Sequence, residues 1–127
     1  MPGGINNYGL VVGRSGTTFN TGTRGFVWKS GAQIQTLASL PRGDFGEAEG
    51  INDLGDIIGS SNTNAHLRAV LWTRNGEIRD LGTLAGDSGS RARSINRAGP
   101  VVSFSTGPNG VSAFLWTSGE IIRGHRP

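Results

Sequence analysis

Apolar residues along this chain come in short pairs and triplets separated by glycine and polar turns, and the same arrangement returns three times. Val11-Val12, Ile57-Ile58 and Val101-Val102 are paired β-branched residues. Each pair follows an Ile-Asn step, at Ile5-Asn6, Ile51-Asn52 and Ile95-Asn96, and precedes Ser15, Ser61 and Ser105. A second apolar run ends in tryptophan: Gly25-Phe26-Val27-Trp28, Ala69-Val70-Leu71-Trp72 and Ala113-Phe114-Leu115-Trp116, with Ile34, Ile78 and Ile122 each six residues further on. No window places apolar residues at helical spacing, whereas short β-branched and aromatic runs between turn signals are the mark of strands. The pattern predicts an all-β chain with four strands per repeat and repeats over residues 1–40, 41–84 and 85–127.

Between the first and second strand each repeat carries Asn-x-x-Gly, at Asn6–Gly9, Asn52–Gly55 and Asn96–Gly99. The asparagine suits a type I turn whose backbone its side chain caps, and the glycine suits the left-handed residue that follows. Tight turns at Lys29–Gly31, Thr73–Gly76 and Thr117–Gly119 lead into the fourth strand. Leu37-Ala38-Ser39-Leu40 then answers Leu81-Gly82-Thr83-Leu84, and the Gly43-Asp44 after it answers Gly86-Asp87.

A small sheet that is apolar on both faces must stack on copies of itself, and twisted sheets stacked radially close into a ring. The expectation is a β-propeller fold with three four-stranded antiparallel blades per chain. Propellers have roughly four to eight blades, so whole copies of a three-bladed chain reach a closed ring as a six-bladed homodimer. The head face of one chain would meet the tail face of the other. A fragment of a longer array and a single-chain three-stranded prism are the alternatives.

The unit I-N-x-x-G-x-V-V-G-x-S, followed by A-F-L-W, D-L-G-T-L and G-D-x-G, resembles the HAF repeat family of bacterial extracellular repeat proteins. The likeness spans the whole chain and is strongest at Asp80-Leu81-Gly82-Thr83-Leu84 and Ala113-Phe114-Leu115-Trp116. The family's histidine before Ala-Phe is missing, since Arg24, Arg68 and Ser112 stand there, and the first copy ends in Gln35-Thr36-Leu37-Ala38-Ser39-Leu40 in place of the Asp-Leu-Gly pattern. The resemblance implies a secreted or cell-surface bacterial protein and carries no established activity.

Composition narrows the picture by exclusion. The 127 residues suit one domain, and 22 glycines with only 17% charged residues fit a turn-rich β protein. Net charge is +3, and the arginines are scattered apart from Arg91, Arg93 and Arg97, without the basic stripe and aromatic platforms of a nucleic-acid binder. There is no cysteine, so neither disulfides nor thiolate metal sites arise. No apolar run approaches the roughly twenty residues of a membrane span, and Met1-Pro2-Gly3-Gly4 lacks the regions of a signal peptide.

Catalytic motifs are absent as well. There is no Gly-x-Ser-x-Gly elbow, and of the two histidines His125 lies near the chain's last residues. Arg42-Gly43-Asp44 spells the integrin-recognition tripeptide, but its Gly-Asp belongs to the repeated turn. Asp44 and Asp87 lack the dense Asp and Asn alternation of a calcium loop, so no metal and no cofactor is expected.

Topology points to one rim. The second-to-third connections (16–23, 62–67, 106–111) and the crossovers (41–47, 85–91) emerge together as long, dissimilar loops, and binding tends to concentrate on loops of a rigid scaffold. Phe19, Asn20, Asp44, Phe45, Asn64, His66, Asp87 and Arg91 are the candidate ligand-binding residues there, a mixture that can stack on and hydrogen-bond a carbohydrate or another surface component. The expected function is a non-enzymatic binding module. A carboxylate-dependent hydrolase or lyase at the channel and a purely structural repeat protein are the alternatives.

Overall fold

The computed structural model describes residues 2–15, 23–43, 45–63, 66–84, 86–97, 99–108, 110–117 and 120–125. Among these the chain is all-β, with no helix. The first sheet holds β1 (Pro2–Ile5), β2 (Val11–Ser15), β3 (Arg24–Trp28) and β4 (Gln35–Thr36). The second holds β5 (Gly46–Ile51), β6 (Ile57–Thr63), β7 (His66–Trp72) and β8 (Ile78–Gly82), and the third β9 (Gly89–Ile95), β10 (Val101–Gly107), β11 (Gly110–Thr117) and β12 (Glu120–His125). Each is an antiparallel meander in chain order.

The Asn-x-x-Gly turns form as their chemistry dictates. The amides of Gly9, Gly55 and Gly99 donate to the carbonyls of Asn6, Asn52 and Asn96, and all three glycines take positive φ, at 80°, 91° and 108°. Asn52 Oδ1 accepts from the Leu54 and Asp56 amides at 3.1 and 2.9 Å, as Asn6 Oδ1 does from Tyr8 and Leu10. The other end of the amide does something the turn pattern does not reveal. Asn6 Nδ2 donates to the Asn52 carbonyl at 3.1 Å, and Asn52 Nδ2 to the Asn96 carbonyl at 3.2 Å. Asn6 and Asn52 therefore each cap their own hairpin and tie it to the next.

With each buried hydrogen bond worth about 1 kcal/mol, Asn52→Ala is expected to cost about 3 kcal/mol. Asn96→Ala, at an exposed position, should cost nearer 1 kcal/mol; urea midpoints at constant m-value measure both.

Between the sheets lie two apolar junctions of one design. The first packs Val12, Leu37 and Leu40 against Ala48, Ile57, Val70 and Trp72; the second packs Ile58, Ala69, Leu71 and Leu81 against Ala92, Val101, Phe114 and Trp116. Successive strand residues point to opposite faces, so the first member of each β-branched pair faces the preceding sheet and the second faces the following one. Trp72 Nε1 also donates to the Ala38 carbonyl, at 2.8 Å, across the first junction. The repeated serine holds the connection between sheets: Ser61 Oγ accepts from the Leu40 amide and Ser105 Oγ from the Leu84 amide, both at 3.0 Å.

The outward faces of the end sheets carry the same residues without a cover. On the first sheet Trp28 is 36% exposed where Trp72 is 0%, and Ile5 and Ile34 are exposed at 66% and 56%. On the third sheet Val102 is 41% exposed where Val12 and Ile58 are 0%.

Two expectations need correction. The Gly43-Asp44 pair does not match Gly86-Asp87 position for position. Gly43 and Asp87 make the equivalent turn-closing bonds to Leu40 and Leu84, and Arg42, with φ of 66°, takes the left-handed position that Gly86 holds at 84°. The loops of the second and third repeats are also short. Asn62 pairs with Leu67 and Thr63 with His66, and Thr106 pairs with Val111 and Gly107 with Gly110, so only residues 64–65 and 108–109 connect the strands. Gly46, Glu47, Gly89, Ser90 and Arg91 likewise belong to strands. Backbone pairing extended these strands through residues whose polarity suggested loop.

Candidate functional site

The first strands of the three sheets, β1, β5 and β9, each carry a bulge at the same place. Pairing skips Gly3 in β1, Glu49 in β5 and Arg93 in β9. A bulge inserts an unpaired residue and re-aims its side chain. Here the three bulged residues line one cleft of about 430 Å³, together with Arg14, Glu47, Ala48 and Arg91. Gly3 sits so close to the Ala48 carbonyl oxygen that a Cβ there would collide with it, so at this position the wall has no side chain.

Alternation explains why charges gather here. Ala48 and Ala92 point into the two junctions, which leaves their neighbours Glu47, Glu49, Arg91 and Arg93 outside the core. Glu47 bridges two sheets: Arg14 Nη1 lies 2.9 Å from its Oε2, and Arg91 Nη2 lies 3.2 Å from its Oε1. Arg91 Nη2 also lies 3.5 Å from Glu49 Oε1. The Arg93 guanidinium stands 5.9 Å from the centroid of the Phe104 ring, a cation–π distance. Among the described residues Arg93 makes no ion pair within contact distance.

Burial raises the Glu49 carboxyl above its ordinary value of 4.5, and a hydrogen bond with Glu47 adds to the rise, while the charges of Arg91 and Arg93 oppose it. A carboxyl raised on folding binds its proton more readily in the native than in the unfolded state. Its contribution to stability is therefore present at low pH and lost as pH rises through the native value. Glu49→Gln should accordingly melt higher than the parent chain at pH 8, and the gap should shrink as pH falls toward 4.5. Thermal melts across that range read the sign directly.

Of the residues expected to bind ligand, Phe19, Asn20, Asp44 and Asn64 lie outside the described residues. Phe45 is half-buried in the connection to β5 and fixed by its backbone: its amide donates to Asn62 Oδ1 and its carbonyl accepts from Ser61 Oγ. Asp87 Oδ2 accepts from Ser105 Oγ at 2.6 Å, which makes it part of the connection's own scaffold. His66 opens β7, exposed, opposite Thr63. Phe45 and His66 thus share one end of the β6–β7 hairpin, because the Asn62 amide donates to the Phe45 carbonyl. Of the described candidates, Arg91 alone lines the cleft. Its companions Arg14, Glu47, Glu49 and Arg93 were not singled out as ligand-binding residues from the sequence. The signal was available in Glu-Ala-Glu-Gly-Ile-Asn and Arg-Ala-Arg-Ser-Ile-Asn, opposite charges at one repeat position.

Chemically, the cleft offers arginine donors and carboxylate acceptors side by side. Its two carboxyls meet on one arginine, Glu47 Oε1 at 3.2 Å and Glu49 Oε1 at 3.5 Å from Arg91 Nη2. Among the described residues no three His, Cys, Asp or Glu side chains gather as a metal site. Comparison with family models, with curated proteins and with solved structures returned no match.

Proposed function

We propose that this chain is a non-enzymatic interaction module that acts as an assembled β-propeller, two copies contributing three blades each to a six-bladed ring. The observation that carries this reading is the pair of uncovered end faces. The first sheet offers outward Ile5, Trp28 and Ile34, whose counterparts Ile51, Trp72 and Ile78 pack into the first junction. The third sheet offers Val102, whose counterparts Val12 and Ile58 lie in the two junctions. Each end face supplies one half of the contact already made twice within the chain. Burying a large apolar side chain is worth about 1.5–3 kcal/mol, so Ile5, Trp28 and Ile34 on one face and Val102 on the other drive association. A head-to-tail contact made twice around one axis closes the ring.

The rim of connections beside Phe45 and His66 is then presented twice by one rigid body, a geometry suited to carbohydrate or another surface component. A cell-surface setting fits the likeness of the repeat to the HAF family. Light scattering after size exclusion tests the assembly: the mass of two chains supports it, and the mass of one chain, folded, overturns it. The hydrolase reading draws on the meeting of Glu47 and Glu49, but both carboxyls are tied to arginines and to each other, which leaves neither placed as a separate acid and base.

A further inference from the structure

The cleft at the three bulges has the chemistry of a binding site for one kind of small molecule. Three arginines and two glutamates give it a net charge of about +1 when all are ionised. That balance disfavours a phosphate dianion, which two carboxylates would repel, and it disfavours an uncharged apolar ligand, which would leave the charges desolvated. It matches a monoanion that also carries hydroxyls. Arg93 is the group best placed to take the anion. The guanidinium stands by Phe104, among the described residues no contacting carboxylate occupies its N–H fork, and such forks bind carboxylates bidentately. Glu47 and Glu49 supply acceptor oxygens, which hydroxyl groups need as partners. The volume of about 430 Å³ lies within the range of about 300–1,000 Å³ for ligand clefts.

We infer that the cleft lined by Glu47, Glu49, Arg91 and Arg93 binds a hydroxylated carboxylate of the uronic acid type, its carboxylate on Arg93 and its hydroxyls on the two glutamates. This inference goes beyond the recognition reading above, since its site is the cleft and not the rim beside Phe45 and His66, and it does not depend on ring closure.

Amide-resolved NMR titration of the full chain with sodium glucuronate tests it, with glucose and sodium acetate as comparison ligands. Glucuronate should shift the amides of residues 47–49 and 91–93 in a saturable way and bind more tightly than either comparison ligand, each of which carries half of the recognised chemistry. Arg93→Gln should weaken glucuronate by about tenfold or more, the loss of one charge-assisted bidentate contact. Arg74→Gln, on an exposed turn outside the cleft, should leave it unchanged. Because Arg93 is exposed, its substitution tests binding in a folded chain, which the dispersion of the same spectra verifies. Absence of glucuronate shifts in the cleft, equal binding by acetate or glucose, or full affinity in Arg93→Gln would each overturn the inference. Shifts confined to the amides around Phe45 and His66 would do so too while leaving recognition at the rim intact; no shift with any sugar would count against both.

Discussion

Replacing Trp72 by alanine should lower the free energy of unfolding by about 3–5 kcal/mol, the cost of a large cavity in a packed core, while the same change at Trp28 should cost the single chain less than about 1.5 kcal/mol. The two tryptophans occupy one repeat position, so the contrast isolates packing from local sequence. Trp72 is sealed in the first junction against Val12, Leu37 and Leu40, and its indole N–H reaches the Ala38 carbonyl across that junction. Its removal opens a void and takes from the Ala38 carbonyl its indole donor. Trp28 faces outward and its indole N–H bonds within its own turn, to the Ala32 carbonyl at 3.0 Å. Domains are stable by only about 5–15 kcal/mol, so Trp72→Ala removes a large share and should move the urea midpoint far; equal losses at both positions would contradict the junction description.

In the proposed two-copy assembly, Val102→Glu should separate the chains without unfolding them. Val102 stands on the outward face of the third sheet, where a glutamate in the isolated chain remains in water. Against the first sheet of a second copy, that carboxylate would be buried without a partner at each of the ring's two contacts, at a cost of about 3 kcal/mol or more apiece, or roughly ten-thousandfold in association constant. Far-ultraviolet circular dichroism should stay unchanged while the scattering mass falls to that of one chain. Ile58→Glu supplies the matched internal control. It occupies the equivalent position inside the second junction and should unfold the chain. A Val102→Glu protein that keeps the mass of two chains would place the contact elsewhere.

Much of the fold was legible because strand alternation and turn chemistry are local. The Ile-Asn steps, the paired β-branched residues and the tryptophan runs located the strands of each repeat, and Gly9, Gly55 and Gly99 adopt the positive φ that their turns require. Pairing that depends on a partner strand was less legible. Asn62, Thr63, His66 and Leu67 read as loop because they are polar or mixed, yet the two strands zip together through them. The offset at Arg42 was hidden for another reason: a glycine and an aspartate sit near both crossovers, and only the turn-closing bonds reveal which residue takes which place.

The sequence by itself determined the all-β class, the threefold repetition, and the β-branched pairs and tryptophan runs that supply much of both junctions, since these follow from which residue types recur at which spacing. Only the tertiary structure decided where the charges meet. Glu47 and Arg91 stand one repeat apart in the chain and 3.2 Å apart in space. Three bulges aligned across neighbouring first strands make the cleft, and a bulge is a property of pairing register, which forms only when strands from the whole repeat come together.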